Sequence, residues 1–241
     1  MKLPRKPAAV VFDMDGLLFD TESLYEEACL SAAVSMGFEM SRPFFRTTVG
    51  SHWSVIRGLL LDHYGAAFPA EELRTVARRN FQELVDTRQF LKPGVLELLD
   101  LLDALELPRA IATTSAHASV QHHLEAHGLI DRFHCIVASG DYIQSKPAPD
   151  PFLKAAERLN VAPALCLALE DSHNGVRAAA SAGMMTIMVP DLLEPIDEIT
   201  CLCAAVAVDL HEVHCLLLNA GAGMKGVGMK GVGMGLAEKS P

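Results

Sequence analysis

The chain lacks any apolar run near the roughly 18 residues that a membrane-spanning helix needs, although half of its 241 residues are apolar. Cations are in short supply: 20 Lys and Arg stand against 30 Asp and Glu, a formal net charge of −10. There is a single tryptophan, only three tyrosines, and no Cys-x-x-Cys among the six cysteines. These shortages exclude whole classes. Without clustered Lys and Arg there is no electrostatic footprint for a phosphate backbone, so no nucleic-acid partner is expected. No membrane partner is expected either, and the start MKLPRKPAAVVFD meets an aspartate after five apolar residues, too soon for a targeting segment. Cys29, Cys135, Cys166, Cys201, Cys203 and Cys215 fit no metal or redox spacing. They read as small buried hydrophobes in a reducing compartment, and the expected location is cytoplasmic. The remaining partner class is a small molecule, bound by a monomer or weak homodimer.

Two histidine-rich stretches suggest metal sites and then argue against them. The segment CLCAAVAVDLHEVHC carries His211 and His214 among three cysteines, but helical packing explains its spacing better than a zinc pattern does. The helix expected over 116–127 carries His117, His122, His123 and His127. Its HLEAH misplaces the glutamate of a metal-binding HExxH helix, so a solvated helix face is expected. After Asn219 the glycine-rich repeat GAGMKGVGMKGVGMG twice satisfies G-x-G-x-x-G, as GAGMKG and GVGMKG. No strand–turn–helix unit follows it, which leaves a flexible low-complexity tail over 219–241.

What is present is an alternation of short β-forming runs and helical patterns. AAVVF at 8–12, RAIAT at 109–113, HCIVAS at 134–139, LCLALE at 165–170 and MTIMVP at 185–190 read as strands. VLELLDLLDAL at 95–105, ASVQHHLEAHG at 118–128, PFLKAAERLN at 151–160 and NGVRAAASAG at 174–183 read as the helices between them. This order predicts an α/β fold: a Rossmann-like three-layer core whose parallel sheet is covered on both faces, with ligands at the carboxyl ends of the strands. Residues 20–91 hold no convincing strand. SLYEEACLSAAVSMG, VIRGLLLDHYG and EELRTVARRNFQELVDTR read as helices joined by turns such as Ser41-Arg42-Pro43. The expected organisation is therefore a core of residues 1–19 and 92–218, an inserted α-helical cap domain over 20–91 that can close the site, and the tail.

The most informative stretch is VVFDMDGLLFDTE, Val10 to Glu22. A strand points residues i and i+2 the same way, so Asp13 and Asp15 converge while Met14 points to the opposite side. Two carboxylates held so close repel and take up protons unless a cation lies between them. Later strand ends add matching chemistry. Strand two ends in Ala112-Thr113-Thr114-Ser115, small hydroxyl residues that either cradle phosphate oxygens or cap the next helix. Strand three leads into SKPAPDPF, where Pro147, Pro149 and Pro151 fix the loop that follows Lys146 and so aim it rather than letting it sweep. Strand four ends in Glu170-Asp171-Ser172-His173-Asn174-Gly175, which places acids on the edge occupied by Asp13 and Asp15; the plainer role for Asp171 or Ser172 is a helix cap.

Taken in order, these pieces resemble the haloacid dehalogenase-like hydrolase superfamily over about residues 8–190. DMDGLLFDTE matches its first motif, Thr113 its second, Lys146 its third and EDSHNG its fourth. SKPAPDPF and EDSHNGVRAAASAGM look like the sugar-phosphatase and β-phosphoglucomutase-like branch, with pseudouridine-5′-phosphatase-like proteins close to it. The resemblance implies a Mg2+-dependent phosphatase acting on a small phosphorylated metabolite, a sugar phosphate or nucleoside monophosphate. Asp13 would be the nucleophile that forms an aspartyl-phosphate and Asp15 the general acid and base. Thr113, Thr114 and Lys146 would bind the phosphate. Mg2+ would be held by Asp13, the Asp15 backbone carbonyl, Asp171 and Glu170, the last directly or through water. The related mutases carry a histidine where this chain has Tyr25, so a β-phosphoglucomutase-like phosphomutase is the alternative, and a non-catalytic phosphometabolite-binding module is a third reading. Arg46, His52 and Trp53 are candidate cap-side substrate contacts, with core packing the plainer role for Trp53.

Overall fold

A computed structural model describes residues 3–49, 51, 53–88 and 90–222. Strand β1 (Ala9–Phe12) opens the fold, and four helices follow before the chain returns to the sheet: α1 (Thr21–Ser35), α2 (Arg42–Arg46), α3 (Trp53–Tyr64) and α4 (Ala70–Thr87). Then come α5 (Val95–Ala104), β2 (Arg109–Ala116), α6 (His117–Ala126), β3 (Cys135–Ser139) and α7 (Asp150–Leu159). The chain continues through β4 (Cys166–Glu170), α8 (His173–Ser181), β5 (Met185–Met188), α9 (Asp197–Leu202), β6 (Ala205–Val206) and α10 (Leu210–Ala222). All six strands run parallel in the order β3-β2-β1-β4-β5-β6. Parallel neighbours require crossovers, and the helices that make them cover both faces.

The two faces differ in residue size. Val10, Phe12, Ile111, Leu167 and Leu169 pack against Leu98, Leu102, Val120, Leu124, Val213 and Leu217 of α5, α6 and α10. Ala9, Val11, Ala110, Ala112 and Ala168 face Phe152, Ala155, Ala178 and Ala179 of α7 and α8. Strand alternation sends the large and the small side chains to opposite sides, and the alanine face lets α7 and α8 lie close to the sheet. The helices between β1 and α5 hold a separate apolar cluster that includes Phe45, Leu60, Phe68 and Leu73. Two backbone bonds pair the segment that enters that region with the one that leaves it, Asp20 N–H to Phe90 O at 2.7 Å and Lys92 N–H to Leu18 O at 2.9 Å.

Three local expectations need correction. Ser41-Arg42-Pro43 is not a turn but the start of α2: Ser41 Oγ caps it by accepting the Phe44 N–H at 3.3 Å, and proline suits a first helical turn. The segment from Cys201 to Cys215 is not one helix, because β6 interrupts it and pairs with β5; two residues are too few to show a strand's alternation. The expected solvated histidine face holds for His117 and His122, which are exposed, but not for the other two. His123 is 6% exposed, and it packs with His127 around Phe19 and Phe90 at centroid distances of 4.8–5.5 Å. Cysteine burial holds for Cys29 and Cys166, whereas Cys201 and Cys215 are exposed. The expected flexible tail over 219–241 starts too early, because α10 runs to Ala222; the remainder lies outside the described residues.

Candidate active site

The first strand delivers Asp13 to the mouth of the sheet, where its backbone N–H donates to Leu169 O at 2.9 Å. The chain then turns back sharply, Gly16 N–H donating to Phe19 O at 2.8 Å. Gly16 adopts φ +83°, and a Cβ there would lie 2.4 Å from Asp171 Oδ2. Both the positive φ and the close approach demand glycine. At the end of β2 the register shifts between Ala112 and Ala116, so Thr113, Thr114 and Ser115 extend the strand rather than open a helix. Irregularities of this kind re-aim side chains. Ser115 Oγ donates to Asp15 Oδ2 at 2.6 Å, and Thr113 Oγ1 lies 3.4 Å from the same oxygen.

Lys146 is the buried cation of the site, its side chain 6% exposed. Its ammonium touches Asp13 Oδ1 and donates to Glu170 Oε1 at 2.5 Å. Glu170 is fully buried and its second oxygen is saturated, accepting from Asp171 N–H, Ser172 N–H and Ser172 Oγ at 3.0–3.2 Å. Ser172 also caps α8 by accepting the Gly175 N–H at 3.1 Å, so the helix-cap role belongs to the serine and not to Asp171. Burial pushes the Asp13 carboxyl up to about 8, against the pull of Lys146 and with Glu170 and Asp15 adding to the rise. Burial, Asp13 and Glu170 likewise hold Asp171 well above the usual carboxylate range. Burial opposes the charge of Lys146, but the two acids beside it more than compensate and push it up.

Asp13, Glu170 and Asp171 each offer an oxygen within 4.8 Å of the others. Oxygen donors in a mutually repelling, buried set suit a hard divalent cation such as Mg2+. The Asp15 side chain is turned to Ser115 and is not part of that group. A cavity of about 500 Å³ opens over these residues, and Asp13, Asp15, Thr113, Thr114, Lys146 and Asp171 all line it. Glu170 lies behind the wall. Among the described residues no comparable metal-ligating group forms around His211 and His214. Arg46 and Trp53 do not line the cavity either. Arg46 Nε sits 3.6 Å from Glu26, and Trp53 donates to Glu71 at 2.7 Å under the Arg74 guanidinium. Val49 and Ser51 take their place in the lining, while His52 lies outside the described residues. Asn174 of the EDSHNG motif lines it as well, and so do Glu22 and Arg177, to which the sequence assigns no role. Glu22 was in plain sight in DTE, but only the turn after Gly16 brings the start of α1 back over the strand ends.

A doubly covered parallel sheet with acids, hydroxyls and one buried lysine converging on its carboxyl edge defines a Rossmann-like α/β protein whose site offers oxygen donors suited to a metal ion. The chain belongs to the haloacid dehalogenase-like hydrolase family, whose model matches residues 7–183. It is 37% identical over 196 residues to a probable pseudouridine-5′-phosphatase of Drosophila melanogaster, covering 79% of this chain and 84% of that protein. Hexitol phosphatase B of Escherichia coli K12 is 33% identical over 196 residues, covering 79% and 86%. The crystal structure of a β-phosphoglucomutase homologue from Thermotoga maritima superposes with a TM-score of 0.75 at 27% identity, covering 88% of this chain and 98% of that one.

Proposed function

We propose that this chain is a Mg2+-dependent phosphatase that hydrolyses the phosphomonoester of a small sugar, polyol or nucleoside through an aspartyl-phosphate on Asp13. The observation that carries the reading is the contact of Lys146 with both Asp13 and Glu170 beside an open cavity. That ammonium neutralises charge where a phosphate dianion must approach a carboxylate nucleophile. Asp13 Oδ attacks phosphorus and the ester oxygen leaves. Asp15, hydrogen-bonded to Ser115, hands that oxygen its proton and then takes one from the water that opens the acyl-phosphate. Thr113 and Thr114 supply hydroxyl and backbone donors to the non-bridging oxygens. Asp13, the Asp15 carbonyl and Asp171 would hold the Mg2+, which when bound neutralises phosphate charge. Glu170 is saturated by internal donors, which favours its acting through Lys146 rather than on the metal directly.

Tyr25 favours hydrolysis over mutase chemistry. It packs edge-on to Phe81 and beside Phe45, at 5.6 and 6.3 Å, so the position filled by histidine in the mutases here belongs to the apolar interior of the helical region. That region, read as a cap over 20–91, would close the cavity over bound substrate. The test is phosphate release from sugar phosphates, polyol phosphates, nucleotides and pseudouridine 5′-phosphate, with Mg2+ or EDTA, for wild type and Asp13→Asn. Release that needs Mg2+ and vanishes in the variant supports the reading; full activity in Asp13→Asn ends it.

A further inference from the structure

Asp191 is a buried acid to which the proposed chemistry gives no task. It lies just past the end of β5, on the carboxyl edge of the sheet, and its side chain is 6% exposed. One oxygen is engaged: Oδ1 accepts from Lys92 Nζ at 2.6 Å, and Lys92 stands where the chain returns from the helical region to the core. The other, Oδ2, is buried and meets no donor among the described residues. A carboxylate oxygen in that state costs stability until a donor reaches it.

The direction of Oδ2 says where that donor comes from. A Cβ on Gly16 would lie 2.4 Å from Asp171 Oδ2 and 3.2 Å from Asp191 Oδ2, so two carboxylates from the neighbouring strands β4 and β5 converge on one glycine. The nearby lysines are committed elsewhere, Lys92 to the other oxygen of Asp191 and Lys146 to Asp13 and Glu170. Acids drawn together in this way need positive charge or donors between them. Asp171 belongs to the oxygen set suited to Mg2+, an ion that keeps several of its waters when carboxylates bind it. Asp191 does not join the oxygens that lie within 4.8 Å of one another, so its reach to that ion is through a water and not direct. A water polarised by a divalent cation is a strong donor, and an acceptor one step behind a metal ligand matches it.

Resting on the reading of Asp13 and Asp171 as Mg2+ ligands, we infer that Asp191 is a positioning residue of the metal site: Oδ2 accepts a hydrogen bond from a Mg2+-bound water while Oδ1 holds Lys92. One carboxylate then ties the metal to the segment that returns from the helical region. The test measures the Mg2+ dissociation constant of the full chain without substrate, from the rise of the melting temperature with Mg2+ concentration. Asp191→Asn separates the roles of the two oxygens. Its carbonyl can still accept from Lys92, which leaves its amide N–H2 facing the Asp171 corner, a donor where an acceptor is needed. Loss of such an outer partner weakens metal binding roughly 10- to 100-fold. Asp191→Asn and Asp191→Ala should both raise the dissociation constant by that factor, with cooperative melting of the metal-free Asn variant showing that it is folded. In the wild type, needing no variant, a crystal structure with Mn2+, which takes the same oxygen ligands, should show a metal-bound water hydrogen-bonded to Asp191 Oδ2. An Asn variant that binds Mg2+ as the wild type does, or a Mn2+ structure in which Asp191 Oδ2 meets no metal-bound water, overturns the assignment. If Asp171→Asn loses the binding and Asp191→Asn keeps it, the metal reading stands and only the role of Asp191 falls. A wild type that binds no Mg2+ overturns both.

Discussion

Lys146 Nζ lies 2.5 Å from Glu170 Oε1 while its other side meets Asp13, so one ammonium links the loop after β3 to the ends of β4 and β1. Removing one partner of such a buried set leaves the others charged and unpaired, at a cost of about 3–5 kcal/mol. Lys146→Ala should lower the unfolding free energy by that order in urea denaturation and reduce kcat/KM for phosphate release by at least about 10³-fold. Lys146→Arg should rescue little, because a planar fork cannot reproduce a compact point charge held between two acids.

Behind that contact stands Gly175. A Cβ there would fall 1.8 Å from Glu170 Cδ and Oε1, an overlap only displacement of the carboxylate can relieve. Overpacking of a tight interior typically costs about 1–3 kcal/mol. Gly175→Ala should therefore lower thermal stability and, by moving the partner of Lys146, cut phosphate release about 100-fold or more. A variant with wild-type melting and wild-type kcat would show that Glu170 has room to move.

The same pair shows how much was legible in the chain. Hydrophobic runs and their spacing revealed five of the strands, because buried parallel strands must be apolar throughout, and the acids at their ends stood out against those runs. The parallel sheet with helices on both faces followed from that alternation. β6 was hidden by its two-residue length, and α2 by a Ser-Arg-Pro that serves a turn and a helix start equally well. Side-chain direction was less accessible than position. Nothing local distinguishes Trp53, packed onto Glu71 and Arg74, from Ser51 two residues earlier in the cavity wall. His123 likewise looks solvated until Phe19 and Phe90, distant in sequence, fold over it.

Metal binding should be visible without turnover. Asp13, Glu170 and Asp171 repel one another across less than 4.8 Å, so a cation that binds the folded chain and not the unfolded one stabilises it by mass action. At 100-fold excess over the dissociation constant the gain is about 2.7 kcal/mol. Thermal melts should shift upward with Mg2+ and return with EDTA in the wild type, and Asp171→Asn should abolish the shift. An unchanged shift in that variant would place the ion elsewhere.

Ser115 offers a finer test of the proton-transfer role of Asp15. Its hydroxyl is 2.6 Å from Asp15 Oδ2 and fixes that carboxyl toward the cavity. A hydrogen bond to a charged group contributes about 1.5–3 kcal/mol. Ser115→Ala should lower kcat roughly tenfold with KM within about twofold, since orientation at the reacting oxygen is lost while phosphate contacts stay. A rise in KM with unchanged kcat would make Ser115 a binding group instead.

The pH dependence of stability follows from Glu22. Burial, with Asp15, Asp191 and Asp20, raises its carboxyl from 4.5 to about 7 in the folded chain. The folded state therefore holds this proton more tightly than the unfolded state does. Its contribution to stability is fully present below the unfolded value and is lost as pH rises through the folded one. Between pH 5 and pH 7.5 the metal-free wild type should lose stability in urea denaturation. Glu22→Gln, neutral at every pH, should lose measurably less over the same interval. Asp13 and Asp171, also raised, contribute a slope of the same sign in both proteins, so the difference between the two curves isolates Glu22. Parallel curves would mean that Glu22 is ionised in the folded chain throughout, with its charge solvated from the cavity rather than suppressed by it.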